Sequence, residues 1–256
     1  MKQTTWFTVD RVRPNIFAFA EFSHHEKVVS YLVVERDRAI LFDTGLGYEN
    51  IATIVSSITS LPVIVFLTHA HWDHIGSATS FSSVYLFDHA FERAHLLKGF
   101  RASAIPELSE QRYFSSPFTP KNYLAAGKKN FTVFKDAKPF VFGDLTIEPV
   151  HTPGHTPGSV SYFLKEQNVL IVGDTLYPGP LYAQLPESNI GAYAQSLLHL
   201  TKVANADTLI LPGHNATSCS YGLLFNAATL MRKAASYEFD KQKPQELKGD
   251  EFSILL

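Results

Sequence analysis

A single cysteine in 256 residues, Cys219, excludes a disulfide within the chain, so a packed core has to carry its stability. Charge of one sign is also missing. Lys and Arg number 22 against 24 Asp and Glu, a net charge of −2, which removes the global pull expected of a nucleic-acid binder or an acidic tail. No apolar run is long enough to span a bilayer. Met1 to Ala20 mixes charged with apolar residues and lacks the unbroken hydrophobic stretch and small-residue cleavage site of a secretory leader. Repeats and low-complexity segments are absent. These absences lead to the expectation of a cytoplasmic chain with no membrane or nucleic-acid partner. What is plentiful is apolar side chain, 45% of residues, enough for the core of one domain over 1–256.

The chemistry is concentrated in Thr68-His69-Ala70-His71-Trp72-Asp73-His74-Ile75-Gly76, with three imidazoles and a carboxylate inside six positions. The apolar run before it, Pro62 to Leu67, reads as a buried strand. At a strand end alternate side chains point the same way, so His69 and His71 converge on one point, while Asp73 and His74 turn towards a second. A lone histidine is usually an ordinary surface or hydrogen-bonded residue. Four such groups packed this tightly at a strand terminus point to metal.

Three more candidates each lie just past an apolar run. His155 follows Leu145 to Val150 within Pro153-Gly154-His155-Thr156, Asp174 follows Val169 to Val172 within Gly173-Asp174-Thr175, and His214 follows Thr208 to Leu211 within Pro212-Gly213-His214. Neighbouring strand ends of a sheet bring such residues together, and the flanking glycine and proline stiffen the turns. The inventory, five histidines and two carboxylates, suffices for two metal ions sharing one bridge.

In this order the motifs resemble those of the metallo-β-lactamase-fold hydrolases, with Leu41-Phe42-Asp43-Thr44-Gly45 as a further match upstream. The resemblance runs from Asp43 to His214 and implies an α/β fold, a four-layer αββα sandwich with metals at the open edge between two sheets. It implies His69, His71 and His155 as ligands of a first metal, Asp73, His74 and His214 as ligands of a second, and Asp174 as the bridge. Asp43 would orient a ligand histidine or its loop. Nitrogen and oxygen donors without thiolate suit two divalent ions, with Zn2+ preferred over iron or manganese.

A metal pair of this kind lowers the pKa of a shared water, giving a bridging hydroxide that attacks a carbonyl. The resemblance gives Asp73 the task of orienting that nucleophile. Tyr177, three residues past Asp174, is placed as in the lactonase branch, where a tyrosine hydrogen-bonds the substrate carbonyl or oxyanion. A packed aromatic is the competing reading of Tyr177. Asp174 argues against true β-lactamases, which carry serine or cysteine there, and His71 against the flavin-linked diiron oxygen reductases, which carry glutamate. What remains is hydrolysis of a small-molecule ester or thioester, first a thioester such as an acyl-CoA or an acyl-glutathione, as in glyoxalase II and the acyl-thioesterases. An N-acyl homoserine lactonase and a mononuclear-iron persulfide dioxygenase are the alternatives. Oligomeric state is left open, a homodimer included.

Around the motifs, strands and helices alternate. Ile16 to Phe22, Val28 to Val34, Ala39 to Phe42 and Val84 to Phe87 read as strands, as do segments near Leu145, Tyr162, Leu170 and Leu209. Helical spacing marks Glu49 to Ser60, Ala90 to Leu97 with Asp88 as its cap, Ile190 to Val203, and Tyr221 to Ser236. Lys98 to Pro139 breaks the pattern. Its length, its prolines, its aromatics and its excess of lysine and arginine suggest an inserted, partly helical cover over the site, binding an acyl or anionic part of the substrate. A structural hairpin with solvated lysines is the competing reading. His24 and His25 read as loop residues of undecided role.

Overall fold

A computed structural model describes residues 2–3, 6–115, 124–135, 138–236 and 245–256. The chain divides into two compact units, Met1–Lys135 and Asp136–Leu256, each with its own buried apolar cluster.

The first unit opens as an antiparallel meander of β1 (Lys2–Gln3), β2 (Thr8–Arg13), β3 (Ile16–Ala20), β4 (Val29–Val34) and β5 (Ala39–Phe42). Helix α1 (Ile51–Ile58) then crosses to β6 (Val63–Phe66), and β7 (Ser83–Phe87) follows, both parallel to β5. Helix α2 (Ala90–Lys98) leads into the irregular segment, which holds β8 (Gly99–Arg101), the one-turn α3 (Pro106–Ser109), β9 (Leu124–Ala126) and β10 (Thr132–Phe134). Strand β10 pairs with β7 and completes an eight-stranded sheet. Strand β5, Ala-Ile-Leu-Phe, is buried at every position, as expected of a strand in the parallel part of a covered sheet. Asn50 caps α1 by accepting from the Ala52 amide, and Ile51, Ile54 and Val55 face the core as their spacing predicts.

The second unit builds a five-stranded sheet from β11 (Phe140–Phe142), β12 (Leu145–His151), β13 (Val160–Leu164), β14 (Val169–Gly173) and β16 (Leu209–Pro212). Between the last two lie β15 (Gly179–Tyr182) and α4 (Ile190–Val203), the latter capped by Asn189, and α5 (Tyr221–Ala235), capped by Ser220, comes after them. β14 and β16 run parallel, so the Asp174 and His214 turns leave the same end of this sheet. β17 (Glu246–Lys248) and β18 (Phe252–Leu255) join β15 in a small third sheet. The buried face of α5 includes Leu223, Ala227 and Ala234 as expected, while Met231 takes the place given to Leu230, which is only half-buried. Burial pushes the Cys219 thiol up to about 12, so it stays protonated and unreactive. Among the described residues no helix is long and apolar enough to cross a membrane.

One expectation changes. Asp88 does not cap α2: the cap is His89, whose ring accepts from the Phe91 amide, while Asp88 pairs with Arg93 and, at 3.2 Å, with Lys135. The irregular segment contributes to the first unit's core. Ala102, Leu108 and Phe114 are buried in the first unit's core, and Phe100, Tyr113 and Phe131 pack on it. Pro117, Phe118, Pro120, Lys121 and Tyr123 lie outside the described residues. The Lys128 ammonium donates to the Phe81 carbonyl at 2.6 Å, and Lys129 lines an open groove of about 440 Å³ with Ser82, Ser83 and Thr132. That groove lies beside the start of β7, which pairs with the start of β6, whereas the His69 loop leaves the far end of β6. Both lysines therefore sit by the start of β7, not at the strand end from which the histidine loop leaves. Lys128→Met is expected to cost about 1 kcal/mol in urea unfolding, equally at low and high salt, because the ammonium acts as an anchor and not as a screened surface charge. A loss that vanishes in high salt would contradict the anchor.

Candidate metal centre

The loop after β6 is shaped by Asp43, which sits just past β5 with left-handed backbone (φ 62°) and is 3% exposed. Its Oδ1 accepts from the Thr68 amide at 2.7 Å, and its Oδ2 accepts from the Thr68 hydroxyl at 2.7 Å and from His74 Nδ1 at 2.8 Å. His69 Nδ1 lies 3.0 Å from the same Thr68 hydroxyl, whose proton is already given to Asp43, so the ring donates there. In both rings the Nδ1 proton is thereby used, and Nε2 is left as the ligand-capable atom. The rings gather: His69 and His71 centroids are 4.7 Å apart, and those of His69 and His74 4.3 Å. His74 Nε2 lies 3.7 Å from Asp73 Oδ2. A nitrogen lone pair and a carboxylate oxygen at that range can share one cation.

Outer contacts hold this loop from three sides. The His74 carbonyl accepts from both the amide and the hydroxyl of Thr44, and the Ala70 amide donates to Glu92 Oε2 at 2.7 Å. Glu21, fully buried, accepts from Trp6 Nε1 and from the Leu46 amide, fixing the chain beyond Gly45. Burial lifts its carboxyl from 4.5 to about 7 against the lowering effect of both hydrogen bonds. Gly76 cannot be replaced freely, because a Cβ there would lie 2.2 Å from the Leu46 carbonyl carbon. His24, left undecided by the sequence, is buried with Nε2 on the Glu107 carbonyl at 2.7 Å and its ring against Phe114. It pins the irregular segment. His25 stacks edge-on with Tyr113.

The second unit presents its own set. His155 Nδ1 donates to the Tyr182 carbonyl at 3.2 Å, which leaves a lone pair on Nε2, 3.4 Å from Asp174 Oδ2. His214 Nε2 approaches the same carboxylate oxygen at 3.1 Å. Here too, two imidazole nitrogens crowd one carboxylate oxygen, and the donor chemistry fits a divalent cation. Tyr177 is buried with its ring 4.9 Å from that of His214. Tyr193 on α4 donates its hydroxyl to the Asp174 carbonyl, and burial, with Asp174 nearby, keeps that phenol protonated. The seven expected ligands thus form two groups, one within each unit.

Sequence reading had already singled out Asp43. It did not find Glu21, Glu92, Thr44, Thr68 or Tyr193. For Glu92 a signal existed: it shares the buried face of α2 with Leu96, and a glutamate on the apolar face of a helix needs a partner. Glu21, Thr44 and Tyr193 act through contacts at long sequence separation, and Thr68 joins the adjacent His69 to the distant Asp43.

Two outcomes follow from this network. Asp43→Asn puts an amide where three donors converge and is expected to weaken Zn2+ retention by about 10- to 100-fold, read as metal remaining after dialysis against graded chelator. Retention equal to the parent would remove Asp43 from this role. Glu21 has a raised folded pKa, so its contribution to stability is complete below pH 4.5 and is lost as pH rises through about 7. Glu21→Gln lacks that loss, so its stability relative to the parent is expected to improve by on the order of 3 kcal/mol between pH 5 and pH 8. Parallel stability curves for the two proteins would rule out a burial-raised carboxyl.

Comparison with known proteins agrees with this donor chemistry. The Metallo-beta-lactamase superfamily pattern matches residues 26–214, most of the chain. The chain is 25% identical over 253 residues to "Acyl-coenzyme A thioesterase MBLAC2" of Gallus gallus, covering 93% of this chain and 88% of that one. It is 27% identical over 203 residues to "Probable metallo-hydrolase YqgX" of Bacillus subtilis (strain 168), covering 72% and 83%. The solved metallo-beta-lactamase from Pontibacter korlensis shares the fold, with a TM-score of 0.62 at 18% identity over 88% of this chain and 99% of that one. With histidine and aspartate groups suited to divalent cations in both units, the chain belongs to the metallo-β-lactamase superfamily and is a metal-binding hydrolase of that fold.

Proposed function

We propose that the chain hydrolyses thioesters, with an acyl-CoA as the first substrate class, at a dinuclear metal centre. In this reading His69, His71 and His155 would hold one ion, Asp73, His74 and His214 would hold the other, and Asp174 would serve both. The substrate class rests on the thioesterase-named relatives that match over 93% of the chain. The observation that carries the metal chemistry is the repeated pattern, in each unit by itself, of an imidazole whose Nδ1 proton is already committed and whose Nε2 faces a carboxylate. Zn2+ suits these nitrogen and oxygen donors.

Bound there, a pair of divalent cations supplies a nucleophilic water at neutral pH and polarises the substrate carbonyl. The chain's own groups do the remaining work. Asp73 accepts a hydrogen bond from the attacking water, takes up its proton, and returns it to the thiolate that departs as the C–S bond breaks. The Tyr177 hydroxyl, held by ring contact with His214, donates to the oxygen on which charge develops. Asp43 and the Tyr182 carbonyl keep His74 and His155 in the tautomers that offer Nε2.

The test joins metal analysis to a substrate panel. Protein purified without added metal is expected to carry about two zinc ions per chain and to cleave acyl-CoA faster than S-lactoylglutathione, homoserine lactones or nitrocefin. Asp174→Ala is expected to lose at least one metal together with turnover. One iron per chain with no thioester cleavage would overturn the reading, as would an Asp174→Ala variant that keeps both metals and full activity.

A further inference from the structure

Tyr193 lies outside every ligand motif, yet it touches two ligand turns of the second unit at once. It is fully buried on α4. Its hydroxyl donates to the Asp174 backbone carbonyl at 2.5 Å. Its backbone closes on the other turn: a Cβ built on Gly154 would lie 2.3 Å from Tyr193 Cα and 2.7 Å from its Cγ, so the helix rests directly against Gly154. Neighbouring groups tie the same turn to the start of the helix. The Asn189 amide donates to the Gly154 carbonyl at 2.8 Å, Ser188 Oγ to the His155 carbonyl at 2.8 Å, and Ser196 Oγ to the Pro153 carbonyl at 2.6 Å.

We infer that Tyr193 is a positioning residue for metal binding, a single side chain that sets the spacing between the His155 turn and the Asp174 turn. The inference rests on the reading of His155 and Asp174 as ligands. The two side chains belong to separate strand ends, β12 and β14, which are not adjacent in the sheet because β13 lies between them. Sheet hydrogen bonds therefore do not fix their separation directly. A helix that abuts one turn and hydrogen-bonds the other does, and it holds His155 Nε2 at 3.4 Å from Asp174 Oδ2. Ligands fixed in this way lose little conformational freedom when a cation arrives, so the gain appears as affinity.

Tyr193→Phe keeps the ring and removes only the hydroxyl. The matched control is Tyr221→Phe, which deletes a tyrosine-to-backbone bond between α5 and α4, that of Tyr221 to the Thr201 carbonyl at 3.0 Å, whose acceptor lies outside the ligand turns. Zn2+ affinity of the full chain is read by competition with a chromophoric chelator, and stability of the metal-free chain by urea unfolding. Tyr193→Phe is expected to weaken Zn2+ binding by about 10- to 100-fold, while Tyr221→Phe stays within about twofold of the parent, although both lose stability. Unchanged affinity in Tyr193→Phe, or an equal loss in Tyr221→Phe, would overturn the inference. Should Tyr193→Phe not fold, Ser188→Ala carries the test: weaker Zn2+ binding supports the clamp and unchanged binding overturns it. A parent chain that takes up no Zn2+ would overturn the ligand assignment itself, and the inference with it.

Discussion

The first unit's chemistry depends on one carboxylate. Asp43 accepts hydrogen bonds from the Thr68 amide, the Thr68 hydroxyl and His74 Nδ1, and it does so from a left-handed backbone position just beyond β5. That conformation is uncommon for a residue other than glycine, and aspartate is among the side chains that tolerate it. Its effect is to turn the carboxylate from the end of one parallel strand onto the loop leaving the next. Two candidate ligand histidines, His74 directly and His69 through Thr68, take their tautomers from it. The other contacts on this loop, from Thr44, Glu92 and the Trp6–Glu21 pair, hold the backbone in place around that arrangement.

The two units solve the same problem with different parts. In the first, carboxylates from β5's end and from α2 bind the histidine loop, and the buried charge is tolerated because each oxygen named here is hydrogen-bonded. In the second, the holding groups are neutral: a carbonyl for His155, a phenol for the Asp174 backbone and serine hydroxyls for the turn. A neutral clamp leaves Asp174 as the charged group beside His155 and His214. A carboxylate in Tyr193's place would oppose the negative charge of Asp174 and need a partner of its own.

In the irregular segment, composition alone leaves the position of each charge open. Its lysine and arginine excess suggested anion binding near the site. Yet Lys128 spends its ammonium on a backbone carbonyl, and Lys129 faces a groove at the strand ends remote from the histidine loop. Its described aromatics turn inward, with Phe114 buried beside Trp6, Tyr48 and His24. A tally of charges along a segment carries no direction, and direction decided the role.

The candidate donor residues and most strands and helices were legible in the sequence because each is a local signal. A ligand motif needs several donors on one turn, so spacing reveals it, and α1, α4 and α5 show their buried faces in their periodicity. Caps were less legible: Asp88 and His89 both offer an acceptor at the start of α2, and only the pull of Arg93 and Lys135 on Asp88 left the cap to His89. What the tertiary structure alone decided are pairings across long separations, such as Trp6 with Glu21, Glu92 with Ala70 and Tyr193 with Asp174. No spacing rule links those residues, because their contact depends on how strands are ordered in a sheet and how a helix packs on it. The sequence determined which groups can bind a metal; folding determined how rigidly, and in which tautomer, each of them is offered.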